Sequence, residues 1–181
     1  MSEAEFDVLK VEVFKHCGVK INAAKKIFLQ SRLQRRLTYC QCPSFTDYIQ
    51  YLKANPTELT EFVNVVTTNT THFFREIEHF QFVQNVVVPE WIQNFRFKPF
   101  FAWSAASSSG EEAFSLAVVL SELGSVHGFD YRILGTDIST ELLDKAKAGI
   151  YRDEQLQAGF SEHLKQKYLQ RGVGKNAGLF R

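Results

Sequence analysis

Apolar residues recur at helical spacing through the first third of the chain, then give way to short apolar runs in the second half. Phe6, Leu9, Val13 and Phe14 predict a first helix, punctuated by Gly18. Val19 and Ile21 lead into a second pattern of Ile27, Leu29, Leu33 and Leu37. Ser44, with Asp47 three residues on, is a good start for a third helix that carries Phe45, Tyr48, Ile49 and Leu52 on one face. Asn55-Pro56 ends it, because the residue before proline is driven out of the helical region. A fourth helix runs from Thr57 through Leu59, Phe62, Val63 and Val66. No strand-like alternation interrupts these patterns, so residues 1–66 read as a small helical bundle.

From Phe74 to Phe97 the pattern predicts one or two further helices within a connecting region, 67–98. The remainder, 99–181, changes character. FFAWSAA is a short apolar run behind Pro99 and reads as a buried strand. Ser107, Ser108, Ser109 and Gly110 form a tight turn, and Glu111 opens a helix with Phe114, Leu116, Ala117 and Leu120 apolar, ending at Gly124. YRILGTDI is a second buried strand, and Ser139 or Thr140 caps a helix carrying Leu142, Leu143 and Ala146. Strand, helix, strand, helix is the order of a parallel, doubly wound sheet. A third strand is expected to start at Leu179.

Composition narrows the class. The 181 residues carry a net charge of +1 and 45% hydrophobic residues, an ordinary globular balance. The longest apolar run, Phe82 to Trp91, is broken by Gln84, Asn85 and Pro89, so membrane insertion is not expected. The N-terminus, MSEAEFDVLK, lacks the basic and apolar regions of a signal peptide, which makes a cytoplasmic location the expectation. Cys17, Cys40 and Cys42 match neither a disulfide framework nor a zinc site, and no metal is expected. The second helix concentrates Lys25, Lys26, Arg32, Arg35 and Arg36 with no acid. That is either a solvated basic face or a docking surface for an acidic partner. The near-neutral total and the lack of interleaved stacking aromatics speak against nucleic acid.

The candidate chemistry lies at the strand ends, where ligands sit in such sheets. The turn SAASSSG is small enough for close backbone approach but lacks the GxGxxG fingerprint of pyrophosphate-binding loops. Its helix begins with Glu111 and Glu112, which suit the helix dipole but repel a pyrophosphate. A cationic ligand group, an amine or a sulfonium, fits better, and a nicotinamide-dependent oxidoreductase is disfavoured. Asp137 ends the second strand about 25 residues on, where a carboxylate accepts hydrogen bonds from ribose hydroxyls. A nucleoside with a cationic, non-phosphorylated tail describes S-adenosylmethionine.

TTNTTHFFRE (67–76), SAASSSGEEAFS and TDISTELLDKAKAGIYR, in this order and spacing, resemble the CheR-type chemotaxis receptor methyltransferases across nearly the whole chain. The resemblance implies a small all-α N-terminal domain followed by a Rossmann-like S-adenosylmethionine-dependent domain. It also implies methyl transfer to glutamate side chains in the cytoplasmic domain of methyl-accepting chemoreceptors, with S-adenosylhomocysteine as product. By position, Asn69, Thr71 and Arg75 contact the cofactor, Glu112 holds its amino group and Asp137 its ribose. Arg75 is the candidate orienter of the reacting carboxylate. His72 sits at an untyped position of the motif. TTNTTHFFRE becomes the joint between the domains, and the basic second helix becomes receptor-docking.

Two departures stand out. The turn reads SSSGEEAF where the family usually has threonine before the glycine and proline after the glutamates. Family members also continue well past this C-terminus. The chain is therefore expected to be truncated, with an incomplete sheet that exposes an apolar face and completes itself by self-association. A non-catalytic receptor-docking or cofactor-binding module is the alternative reading, since it shares the same motifs.

Overall fold

The computed structural model describes residues 1–67, 70–95, 98–157 and 159–181. The chain divides into two compact units, Met1–Thr68 with Ile138–Thr140, and Asn69–Asp137 with Glu141–Arg181.

The first unit is built on four helices, α1 Glu3–Cys17, α2 Lys26–Tyr39, α3 Phe45–Ala54 and α4 Pro56–Val66. Ser2 closes a capping box with Glu5, and Gly18 ends α1 in the left-handed conformation. Ser44 caps α3 through the Asp47 amide, and Pro56 occupies the first turn of α4, where its missing N–H is not needed. Phe6, Leu9, Val13, Leu29, Leu33, Leu37, Tyr48, Leu52 and Phe62 make the core. Two expected core positions face solvent instead: Phe14 is half-exposed and Ile27 is 81% exposed. Ile27 is not at i+3 or i+4 spacing from Leu29, Leu33 or Leu37 and lies off their stripe, while Phe14 follows Val13 at the margin of the stripe on α1.

The interior of this bundle also holds Glu58, only 4% exposed. The Arg36 guanidinium grips both of its carboxylate oxygens, the Tyr48 hydroxyl donates to it at 2.8 Å, and the Cys40 thiol lies 3.4 Å away. Burial pushes the Glu58 carboxyl up, but the hydrogen bonds from Arg36, Tyr48 and Cys40 outweigh it and hold the group below its ordinary range. Burial, and then Glu58, push the Tyr48 hydroxyl well above its ordinary range.

The second unit opens with α5 Ile77–Phe82, a π-helical turn Val83–Val87 and α6 Val88–Phe95. Pro89 would clash with the carbonyl four residues back in a regular helix, and the π turn lies where that clash would fall. Strand β1, Phe100–Ala105, then pairs in parallel with β2, Tyr131–Thr136, in a register running from Phe100↔Tyr131 to Ala105↔Thr136. Helix α7, Glu111–His127, makes the crossover. It runs on past Gly124 to a left-handed Gly128. Gly124 is a packing position rather than a stop: a Cβ there would come within 2.8 Å of the Phe129 carbonyl.

One face of the sheet, with Phe100, Ala102 and Ile133, packs with Val88, Trp91, Leu116 and Leu120. On the alternate positions Phe101, Trp103 and Leu134 are exposed, Trp103 at 68%. Helix α8, Thr140–Ala148, follows, then β3 Tyr151–Arg152, α9 Asp153–Leu156, α10 Glu162–Tyr168 and β4 Leu179–Phe180. The strand expected at Leu179 is present but does not extend the parallel sheet. It pairs antiparallel with β3, a separate two-stranded ribbon over a core of Phe73, Val118, Tyr151, Leu156 and Phe160. No helix among the described residues is long and apolar enough to cross a membrane.

Candidate functional site

The loop 106–110 between β1 and α7 gathers the carboxylates that the sequence singled out. Ala106, Ser108 and Gly110 all have left-handed backbone, at φ 63°, 51° and 98°. Two of these three are not glycine, so the loop is strained. Gly110 is required twice over, because a Cβ there would lie 2.9 Å from the Phe114 ring and from the Tyr151 hydroxyl. The Tyr151 hydroxyl braces the loop by donating to the Ser109 carbonyl at 2.6 Å. Burial, then the Glu111 carboxylate, push that hydroxyl well above its ordinary range, so it stays a donor. The Ser108 hydroxyl is buried without a hydrogen-bond partner, the one such side-chain atom among the described residues.

The two glutamates of the turn part company. Glu111, 2% exposed, points inward and accepts from the Ser109 hydroxyl. Glu112 is exposed, and one of its oxygens accepts from the Ser104 hydroxyl of β1 at 2.7 Å. Asp137, just past β2, accepts from the Ser108 amide at 2.8 Å. Glu112 is thus tied to the end of β1 and Asp137 to the middle of the loop that follows it. A carboxylate has about four acceptor positions, so the Ser104 hydroxyl does not exhaust Glu112.

Thr71 and Arg75 lie on the segment that runs against α7. The Phe74 amide donates to the Ser115 hydroxyl, one turn along from Glu112. Arg75 is half-exposed, donates to the Thr70 carbonyl at 2.8 Å and lies 3.7 Å from Glu76. Thr71 is partly buried. Asn69 lies outside the described residues. Ser104, Ser115 and Tyr151 were not anticipated from sequence. Ser104 alone left a signal, since strand alternation places it on the inward face with Phe100 and Ala102, where a polar side chain is out of place.

The five basic residues expected to dock a partner do not form one uniform face. Arg36 is committed to Glu58, Arg32 donates to the Val65 and Thr67 carbonyls, and Lys26 pairs with Glu3. Lys25 and Arg35 are exposed.

A parallel β–α–β unit with acidic side chains at the carboxyl ends of its strands, in a chain that opens with a helical bundle, has the make-up of a nucleoside-binding α/β protein. Residues 69–180 match the CheR methyltransferase SAM-binding domain, and residues 4–67 match the CheR methyltransferase all-alpha domain. The chain belongs to the CheR methyltransferase family. It is 38% identical over 180 residues to chemotaxis protein methyltransferase 2 of Pseudomonas aeruginosa, covering 98% of this chain and 62% of that protein. It is 35% identical over 184 residues to the chemotaxis protein methyltransferase of Escherichia coli K12, covering 100% of this chain and 62% of that protein. The chain therefore spans about three fifths of the length of these relatives.

Proposed function

We propose that this chain binds S-adenosylmethionine in its second unit and serves methyl transfer to glutamate carboxylates of chemoreceptors. The observation that carries the reading is the pair of carboxylates that flank the β1–α7 loop, Glu112 on the Ser104 hydroxyl and Asp137 on the Ser108 amide. Glu112 at a helix start offers negative charge for the cofactor's ammonium group, and Asp137 at a strand end offers acceptors for the ribose hydroxyls. The loop leaves no row of glycines for a pyrophosphate, in keeping with a ligand that has none. The described residues fit the cofactor in charge, and Arg75, Thr71 and Asn69 are assigned to it with them.

Bound S-adenosylmethionine supplies a methyl group on a positively charged sulfur. The incoming glutamate carboxylate is ionised near neutral pH and needs no general base. With the cofactor held by Glu112 and Asp137, it would supply its methyl group to the carboxylate oxygen, the S–CH3 bonding pair would stay on sulfur, and the neutral thioether S-adenosylhomocysteine would be left. Arg75 contributes by orienting: its planar fork matches a carboxylate, and its half-exposed position leaves it accessible. Positioning and partial desolvation account for the rate, with no proton transfer to arrange.

For the chemoreceptor partner, the exposed Lys25, just before α2, and Arg35 with the protruding Ile27 and Tyr39 on α2 form the contact surface. The exposed Phe101, Trp103 and Leu134 on the sheet are assigned to self-association, to which a monomeric sedimentation profile would put an end.

Calorimetric titration of the chain with S-adenosylhomocysteine tests the central reading. Low-micromolar binding, roughly −8 kcal/mol, is expected, with loss in the Glu112→Ala, Asp137→Ala double variant. Cofactor capture without methyl transfer to a receptor peptide would establish the binding-module alternative. The absence of any binding would remove the assignment of the site.

A further inference from the structure

The segment carrying Arg75 is held in an unfavourable conformation. Phe74 and Glu76 both adopt left-handed backbone, at φ 54° and 56°, so Arg75 is bracketed by two residues that ordinarily avoid this region. Such strain persists only where neighbours enforce it. Phe73 is buried edge-on to Tyr151 and Phe160, at 4.8 and 5.0 Å between ring centres, and Phe74 sits edge-on to Phe80 and Phe160 at 5.5 Å each. A pocket of about 350 Å³ lies beside this aromatic bed, lined by Phe73, Phe114, Val118, Tyr151 and Phe160 among others. Apolar ring contacts are non-directional and do not by themselves fix the backbone register of the segment.

Two small residues remove that freedom. The Ser115 hydroxyl, fully buried, accepts from the Phe74 amide at 2.9 Å and donates to the Glu111 carbonyl at 2.6 Å. It is a two-way clasp between the strained residue and the first turn of α7, the turn that also carries Glu112. On the other side, a Cβ on Gly159 would fall 2.5 Å from the Phe74 ring and 2.9 Å from the Phe73 carbonyl. Gly159 is not in the left-handed region, so its lack of a side chain serves the close approach of the segment rather than its own backbone.

We propose that Ser115 and Gly159 are positioning residues that register Arg75 against the α7 turn bearing Glu112, and so set the affinity for the cofactor without touching it. This inference rests on the cofactor reading above. The segment and the turn move as one body because one hydroxyl spans both. Removing it frees Arg75 to sample other conformations, and the binding-competent fraction falls.

The test is a double-mutant cycle on the 181-residue chain. S-adenosylhomocysteine affinity is measured for the parent, Ser115→Ala, Arg75→Ala and the double variant, with thermal unfolding of each and hydrogen exchange of the Phe74 amide. Ser115→Ala is expected to weaken binding about fivefold to tenfold, the worth of one lost hydrogen bond, with the unfolding transition retained. In the Arg75→Ala background the same change should cost nothing further, since its effect passes through Arg75. Gly159→Ala gives a second route, displacing the segment by bulk with Ser115 intact, and should weaken binding in the same Arg75-dependent way. Additive losses, or parent-like binding by Ser115→Ala, would overturn the positioning role. If the parent itself binds nothing, the cofactor reading falls and the positioning role with it. Faster exchange of the Phe74 amide in Ser115→Ala would still identify the clasp, and unchanged exchange would refute it.

Discussion

The two units treat their carboxylates in opposite ways. Glu58 in the helical unit is buried and saturated: two bonds from Arg36, one from Tyr48 and a thiol contact from Cys40. Glu112 in the second unit is exposed and has a serine hydroxyl as its donor. The arginines divide the same way, Arg36 part-buried against Glu58 and Arg75 half-exposed, with a backbone carbonyl and a loose 3.7 Å ion pair to Glu76. A polar group whose bonding capacity is filled from within the fold serves stability. One whose capacity is left over is available to a ligand. On that rule Glu58 and Arg36 are structural, and Glu112 and Arg75 are the groups we propose for the cofactor, although nothing in residue type distinguishes them.

The sharpest way to break the contrast is Glu58→Ala. It leaves the Arg36 guanidinium and the Tyr48 hydroxyl without their buried partner, and should cost about 3–5 kcal/mol of unfolding free energy by urea titration. S-adenosylhomocysteine affinity should be unchanged. A loss under about 1 kcal/mol would show that the network contributes little net stability and that the rule fails at its strongest case. The same network sets an acid limit. Glu58 has a folded-state pKa below its unfolded value, so its contribution is fully present above the ordinary glutamate range near 4.3 and is lost as pH falls through the lower folded value. Stability should therefore drop on acidification below about pH 4.3, and Glu58→Gln should flatten that drop.

The adjacent glutamates on α7 sharpen the comparison within a single turn. Glu111→Ala removes an inward carboxylate that holds Ser109, and should lower stability by about 1–3 kcal/mol. Glu112→Ala should leave unfolding nearly unchanged while weakening S-adenosylhomocysteine by about tenfold or more, equivalent to about 1.4 kcal/mol. Equal effects of the two changes on binding would erase the distinction between inward and outward carboxylate.

Much of this was legible in the chain itself. The four helices of the first unit followed from Phe6, Leu29, Tyr48, Phe62 and their periodic neighbours, because amphipathic spacing directly reports which face is covered. FFAWSA and YRILGT announced β1 and β2 by continuous apolarity, and SAASSSGEE with Asp137 pointed to the loop. What could not be read depended on long-range partners. Glu58 looks like any first-turn glutamate until Arg36, 22 positions away, closes on it. Gly124 resembles a helix stop, but its meaning lies in the Phe129 carbonyl above it. Leu179 has strand character, yet only tertiary pairing decides that it joins Arg152 rather than the parallel sheet. The division of Glu111 from Glu112 is set by where the helix axis points, which neighbouring identical residues cannot reveal.

The smallest expected effect bounds the rule from the other side. Glu141 and Lys145 on α8 lie 2.7 Å apart, as close as many of the bonds in the Glu58 network, and are spaced i to i+4. Both side chains are more than half exposed, at 61% and 58%. Water already satisfies both groups, and holding two long side chains together costs entropy that the short contact barely offsets. Lys145→Ala should thus change unfolding free energy by no more than about 0.3–0.5 kcal/mol, and the difference should vanish in high salt as screening shortens the reach of the charges. An effect as large as that of Glu58→Ala would mean that distance, rather than burial and saturation, governs these pairs. A null result would place the controlling variable in the solvent each carboxylate gives up.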